Sequence, residues 1–152
     1  MEWPHPRGEL TMGNEFQYDV FLSRADSGLA AHLCAVADIG PQSDEPLRGA
    51  LYETYVAQNL TSIVEAHWPN AQLTYWNVQG RHEVDFVVEA GRDSLAIEVK
   101  AASRFEERDL AGLRAFLRAT PRCRAAVLAC NATTAASLGD RLWAIPMRAL
   151  LG

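Results

Sequence analysis

Apolar residues from Leu47 to Trp68 recur at helical spacing, about 100° per residue. Tyr52, Val56, Ala57, Leu60, Ile63 and Val64 fall on one face, and Thr54, Gln58, Thr61, Ser62 and Glu65 on the other. This pattern predicts a long helix, ended by Pro69-Asn70. The period then changes to two. Leu73–Val78, His82–Glu89 and Asp93–Ala101 read as strands, separated by a turn at Gln79-Gly80-Arg81 and a tight hairpin at Gly91-Arg92. Glu107–Ala119 is amphipathic at helical spacing and stops before Pro121. Arg124–Ala129 reads as a buried strand, Leu142–Ile145 as another, and a short helix follows Pro146.

Upstream the pattern is weaker. Residues 1–16 hold two prolines and two glycines without usable periodicity, and residues 1–24 are expected to form a partly disordered arm. A short strand over Phe16–Leu22, a helix over Ala25–Val36 and a loop over Gly40–Pro46 are expected next. Residues 25–152 then make a single domain. Its order of helix, three strands, helix and strand predicts an α/β fold, a mixed sheet flanked by helices.

The strand pattern also sorts the charges. Val84, Phe86 and Val88 are expected on one face of the second strand, with Glu83, Asp85 and Val87 on the other. In the third strand Leu95, Ile97 and Val99 share a face, leaving Ala96, Glu98 and Lys100 opposite. A two-residue turn at Gly91-Arg92 sets Asp85 against Glu98 and Glu83 against Lys100. Glu53 projects from the apolar face of the long helix. A carboxylate aimed at the core is costly unless it is paired or ligates a metal, and two carboxylates on adjacent strands repel. A divalent cation turns that repulsion into ligation, and Mg²⁺ favours one or two carboxylates completed by water and phosphate oxygens. The bland alternatives are a buried glutamate satisfied by arginine or backbone donors, and a solvated sheet face.

Composition sharpens this picture at one position. The chain has 152 residues and 14 cationic side chains, of which thirteen are arginine and one, Lys100, is lysine. Lysine is a compact point charge that loses its proton when desolvated, unlike arginine. Beside a metal pair it suits the holding or deprotonation of an attacking water and the stabilisation of charge on phosphorus.

The net charge of −5 argues against strong sequence-independent binding to nucleic acid, though not against a local basic groove. Cys34, Cys123 and Cys130 lack Cys-x-x-Cys spacing, so neither a disulfide frame nor a zinc site is expected. His5, His32, His67 and His82 show no metal-ligand spacing. No apolar stretch reaches membrane-spanning length and the first residues are not a secretory signal, so a cytoplasmic location is expected. Arg104, Arg108, Arg114, Arg118, Arg122 and Arg124 form the one basic concentration. They suit a phosphate track or, as the preferred reading, a solvated helix face paired with Glu106, Glu107 and Asp109.

Asp85 with Glu98-Val-Lys100 resembles the PD-(D/E)XK nuclease superfamily, whose restriction-endonuclease-like core runs helix, three strands, helix, strand. More narrowly, several segments resemble the C-terminal domain of unknown function of prokaryotic AAA-type ATP-binding proteins. They are Asp26–Leu33, Gly49–Val56, Glu83–Val87, Ala96–Lys100 and Asp109–Phe116, and the likeness covers about residues 25–146. The resemblance implies Mg²⁺ or Mn²⁺ held by Asp85 and Glu98, Lys100 as catalytic lysine, Glu53 as an assisting helix carboxylate, and DNA as substrate. With its single lysine in a strand, the sequence holds no phosphate-binding Gly-x-x-x-x-Gly-Lys loop, so no ATPase activity is expected. The alternative is a non-catalytic interaction domain that serves a separate ATPase, or a truncated relic.

Overall fold

The computed structural model describes residues 45–152. The expected arm over 1–24, the strand over Phe16–Leu22 and the helix over Ala25–Val36 lie outside the described residues. Within them the elements are α1 (Glu45–His67), β1 (Ala71–Val78), β2 (His82–Ala90), β3 (Asp93–Lys100), a 3₁₀ turn (Glu107–Leu110), α2 (Ala111–Ala119), β4 (Cys123–Cys130), β5 (Ala136–Gly139), β6 (Leu142–Pro146) and α3 (Met147–Leu151). The fold is a mixed α/β sheet flanked by helices, with helix, three strands, helix and strand in the expected order.

One six-stranded sheet runs β1-β2-β3-β4-β6-β5. β1, β2 and β3 form an antiparallel meander. The crossover through α2 makes β4 parallel to β3, and β6 lies parallel to β4. β5 pairs antiparallel to β6 and was not expected, because Ala136-Ser-Leu-Gly139 is short and mostly exposed, with too few apolar positions to set a period. The predicted helix over Glu107–Ala119 is also divided. Its first turn is 3₁₀, where Asp109 Oδ2 accepts the Glu106 backbone N–H at 2.7 Å.

The sheet separates two apolar layers. On one face Val56, Ala57 and Leu60 of α1 and Met147 of α3 pack on Phe86, Ile97, Val99, Val127 and Ala129. On the other Leu113 and Phe116 of α2 pack on Trp76, Val84, Val87, Ala96 and Leu128. Trp76 and Phe116 meet edge to face, with ring centroids 5.3 Å apart, a favoured aromatic geometry. α2 approaches β2 so closely that a β-carbon at Gly112 would overlap the Glu83 carbonyl oxygen. Glycine is required there by contact.

The hairpin register agrees with the sequence, since Ala90 faces Asp93 and the ladder continues to Phe86 opposite Ile97. Extended by one step, it brings Asp85 to Glu98. The alternation expected along β2 is corrected. Thr74 faces Val87 while Trp76 faces Val84, so two steps on β1 span three on β2. This is a bulge, and it puts Val84 and Val87 in the same layer under α2.

Candidate functional site

β3 supplies the anchor. Ala96 lies in the α2 layer, and alternation puts Glu98 and Lys100 on that same side of the sheet. Where the β2–β3 ladder stops, side chains take over from the backbone. The Val99 N–H donates to Asp85 Oδ2 at 2.7 Å, and the Asp85 N–H hydrogen-bonds the Glu98 carboxylate. The bulge in β2 therefore lets two carboxyl groups lace the strand ends together.

These groups are electrostatically unfavourable. Burial pushes the Glu98 pKa up to about 9, helped by the negative charges of Asp85, Glu83 and Glu53 and opposed by the Asp85 hydrogen bond. Burial likewise raises Asp85 to about 7 against its Val99 hydrogen bond, with Glu53 and Glu83 adding to the rise. Glu53, half-buried on α1, is raised by burial and by Glu83. The named charges acting on all three are carboxylates. Glu98 Oε2 is in addition buried with no hydrogen-bond partner. A buried acceptor of this kind costs about 1–3 kcal/mol, and more if charged.

Lys100 is oriented elsewhere. Its Nζ lies 2.8 Å from Asp109 Oδ1, in an ion pair whose lysine side chain is 40% exposed. Burial acts to raise the Asp109 pKa, but the hydrogen bonds from Lys100 and Glu106 and the charges of Lys100 and Arg108 outweigh it and leave it lowered. Asp109 thus holds the lysine by one oxygen and its own turn by the other.

A further polar link closes this end of the sheet. Asn131, just after β4, donates from Nδ2 to the Ala101 carbonyl at 2.9 Å and to the Tyr52 hydroxyl at 3.4 Å. It connects α1 next to Glu53 with the chain just after Lys100. The carboxyl ends of parallel strands are where open α/β sheets commonly bind ligands.

Of the sequence-predicted residues, Asp85 and Glu98 are in mutual contact, Glu53 is near enough to raise both pKa values, and Lys100 stands on the same face as Glu98 but is paired with Asp109. Sequence reasoning missed Asp109 and Asn131 as members of this end. Asp109 was assigned to arginines, and its position at a helix start was the available signal. Asn131 stands as the first polar residue after a buried parallel strand. The arginines follow the bland reading in part. Arg108 pairs with Glu106, Arg114 with Glu107 and Arg124 with Asp93.

The donor set fits a small hard cation. Two carboxylates, one with a partnerless buried oxygen, suit Mg²⁺ or Mn²⁺ with water completing the shell. Among the described residues, no three His, Cys, Asp or Glu side chains form a ready-made cage. No described helix is long and apolar enough to cross a membrane.

A family model described as a domain of unknown function (DUF4143) matches residues 48–150, from α1 into α3. No curated protein and no solved structure matches the chain.

Proposed function

Because the chain belongs to the DUF4143 family, whose activity its description leaves open, we propose from the carboxylate site that it is a metal-dependent phosphodiesterase of the PD-(D/E)XK type acting on DNA. The carrying observation is the Asp85–Glu98 pair, with Glu98 Oε2 buried and partnerless and both pKa values raised. Such an arrangement is costly on its own and becomes favourable around a divalent cation.

Asp85 and Glu98 would hold Mg²⁺ or Mn²⁺. When bound, such an ion supplies Lewis-acid polarisation of a phosphoryl oxygen and lowers the pKa of water. The protein's own side chains do the rest. Asp109 orients the Lys100 ammonium at the end of β3, where it stabilises the extra negative charge that develops on the phosphoryl oxygens. Glu53, with its raised pKa, is suited to take a proton from the attacking water. Asn131 ties Tyr52 to Ala101 and so fixes α1 against the strand end. The measurement is cleavage of plasmid and linear DNA in Mg²⁺ or Mn²⁺. Glu98→Ala and Lys100→Ala variants that cut as well as the unaltered protein would refute the assignment.

One observation favours a second reading, a non-catalytic docking domain for a separate AAA-type ATPase. Lys100 already has a partly buried carboxylate partner in Asp109, and a lysine so held serves structure without any substrate. This reading predicts no Mg²⁺ or Mn²⁺ binding that depends on Asp85, which isothermal titration of Asp85→Asn against unaltered protein decides.

A further inference from the structure

α1 carries an apolar position that the sheet does not use. Val56, Ala57 and Leu60 face the sheet. Leu51 lies nine residues before Leu60, which at about 100° per residue is half a turn away. It therefore points away from the sheet, with Tyr55 one turn further along the same stripe. Yet Leu51 is only 5% exposed, whereas Tyr55 is 47% exposed. Leu51 belongs to neither apolar layer, so the packing among the described residues does not account for its burial. An outward leucine kept from water needs an apolar partner of its own.

The chain itself supplies one. Residues 1–44 precede α1 and join it at Glu45, six residues before Leu51. Six helical residues rise about 9 Å, so Leu51 lies close to where the preceding chain arrives. In the segment Ala25–Val36, Leu29, Leu33 and Val36 recur at i, i+4 and i+7 and make one apolar stripe. The connection from Ala37 to Asp44 contains Gly40-Pro41, which suits a reversal. Extended, those eight residues reach about 28 Å, ample for the stripe to return to α1. Counted outward from the middle of that connection, Leu51 meets the chain between Leu29 and Leu33.

We infer that the outward face of α1 is an intramolecular docking surface, occupied by Ala25–Val36 with Leu29 and Leu33 against Leu51. Leu51 is two residues before Glu53, so this contact anchors the turn of α1 that presents Glu53. The surface stands whether or not the carboxylate site is catalytic.

The test uses the full chain and its own Cys34, which lies in that segment. Cys123 and Cys130 are buried and out of a reagent's reach. Tyr55→Cys puts an exposed thiol on the outward face of α1, and Arg118→Cys puts one on α2, across the sheet. A short bismaleimide is added, and peptide mass spectrometry of the monomer reads the link to Cys34. Tyr55→Cys should cross-link about tenfold more than Arg118→Cys, because docked thiols share a high effective concentration. The second measurement is the urea midpoint of Leu29→Ala/Leu33→Ala, of Leu51→Ala and of the combined variant. Side chains in contact are not additive, so the combined variant should lose less than the sum. Equal cross-linking at the two positions, a link found only between two copies, or additive losses would overturn the inference.

Discussion

The carboxylate pair makes metal-free protein respond to pH in the reverse of the usual direction. Glu98 keeps its proton in the folded chain up to about pH 9 but loses it near 4.5 when unfolded. Between those values the native state binds more protons, so stability is fully present below the lower value and is lost as pH rises through the upper one. Asp85 acts with the same sign between 3.8 and about 7. The two share one site, and protonating one relieves the other, so the pair is counted as one net proton. One proton is worth about 1.4 kcal/mol per pH unit, which gives about 3 kcal/mol between about pH 5.5 and pH 8. Asp109, whose pKa is lowered, contributes stability present above its unfolded value of 3.8 and lost only below that window.

The assay is urea unfolding in EDTA across about pH 5.5 to 8, with the midpoint and slope fitted at each pH. The midpoint should fall as pH rises. Glu98→Gln should confine the fall to the part below about pH 7 that Asp85 contributes, and be the more stable form at about pH 8, since an amide carries no charge to bury. Mg²⁺ at millimolar concentration should restore the midpoint of the unaltered protein at the alkaline end and leave the variant unmoved. A midpoint that rises with pH, or a Glu98→Gln profile that between about pH 7 and 8 falls as steeply as that of the unaltered protein, would refute the account of the site as an uncompensated buried pair.

Further outcomes follow from individual contacts. Gly112→Ala forces a methyl into the Glu83 carbonyl and should cost about 1–3 kcal/mol, read as a lower melting temperature. Phe116→Ala removes a 2%-exposed ring and its edge-to-face contact with Trp76, for about 3–5 kcal/mol in the same denaturant assay. Lys100→Ala breaks an ion pair whose lysine is 40% exposed and should cost about 1 kcal/mol or less, yet abolish any metal-dependent cleavage of DNA. Asp109→Asn should lower that cleavage less than Lys100→Ala does, because the ammonium group remains but is no longer held.

Much of the fold was legible because each element has a local cause. The 3.6-residue period of Val56, Ala57, Leu60 and Val64 specifies α1, and the two-residue period of Leu95, Ile97 and Val99 specifies β3. Gly91, with φ of 63°, makes the hairpin that sets the register, and that register brings Asp85 to Glu98. β5 was not legible, because four mostly exposed residues carry no period. The bulge in β2 was not legible either, because Val84, Phe86, Val87 and Val88 fit an unbroken strand equally well.

What the amino acids determined alone is the order of elements, the hairpin and the identity of the acids and the lone lysine, all consequences of spacing along the chain. Tertiary packing decided which side chains those acids meet. α1 and β2 converge at the end of β3, which stacks negative charge around Glu98, and the turn before α2 delivers Asp109 to Lys100. Periodicity fixes the face a residue occupies, whereas the partner across that face depends on how distant segments dock, and no local pattern encodes that distance.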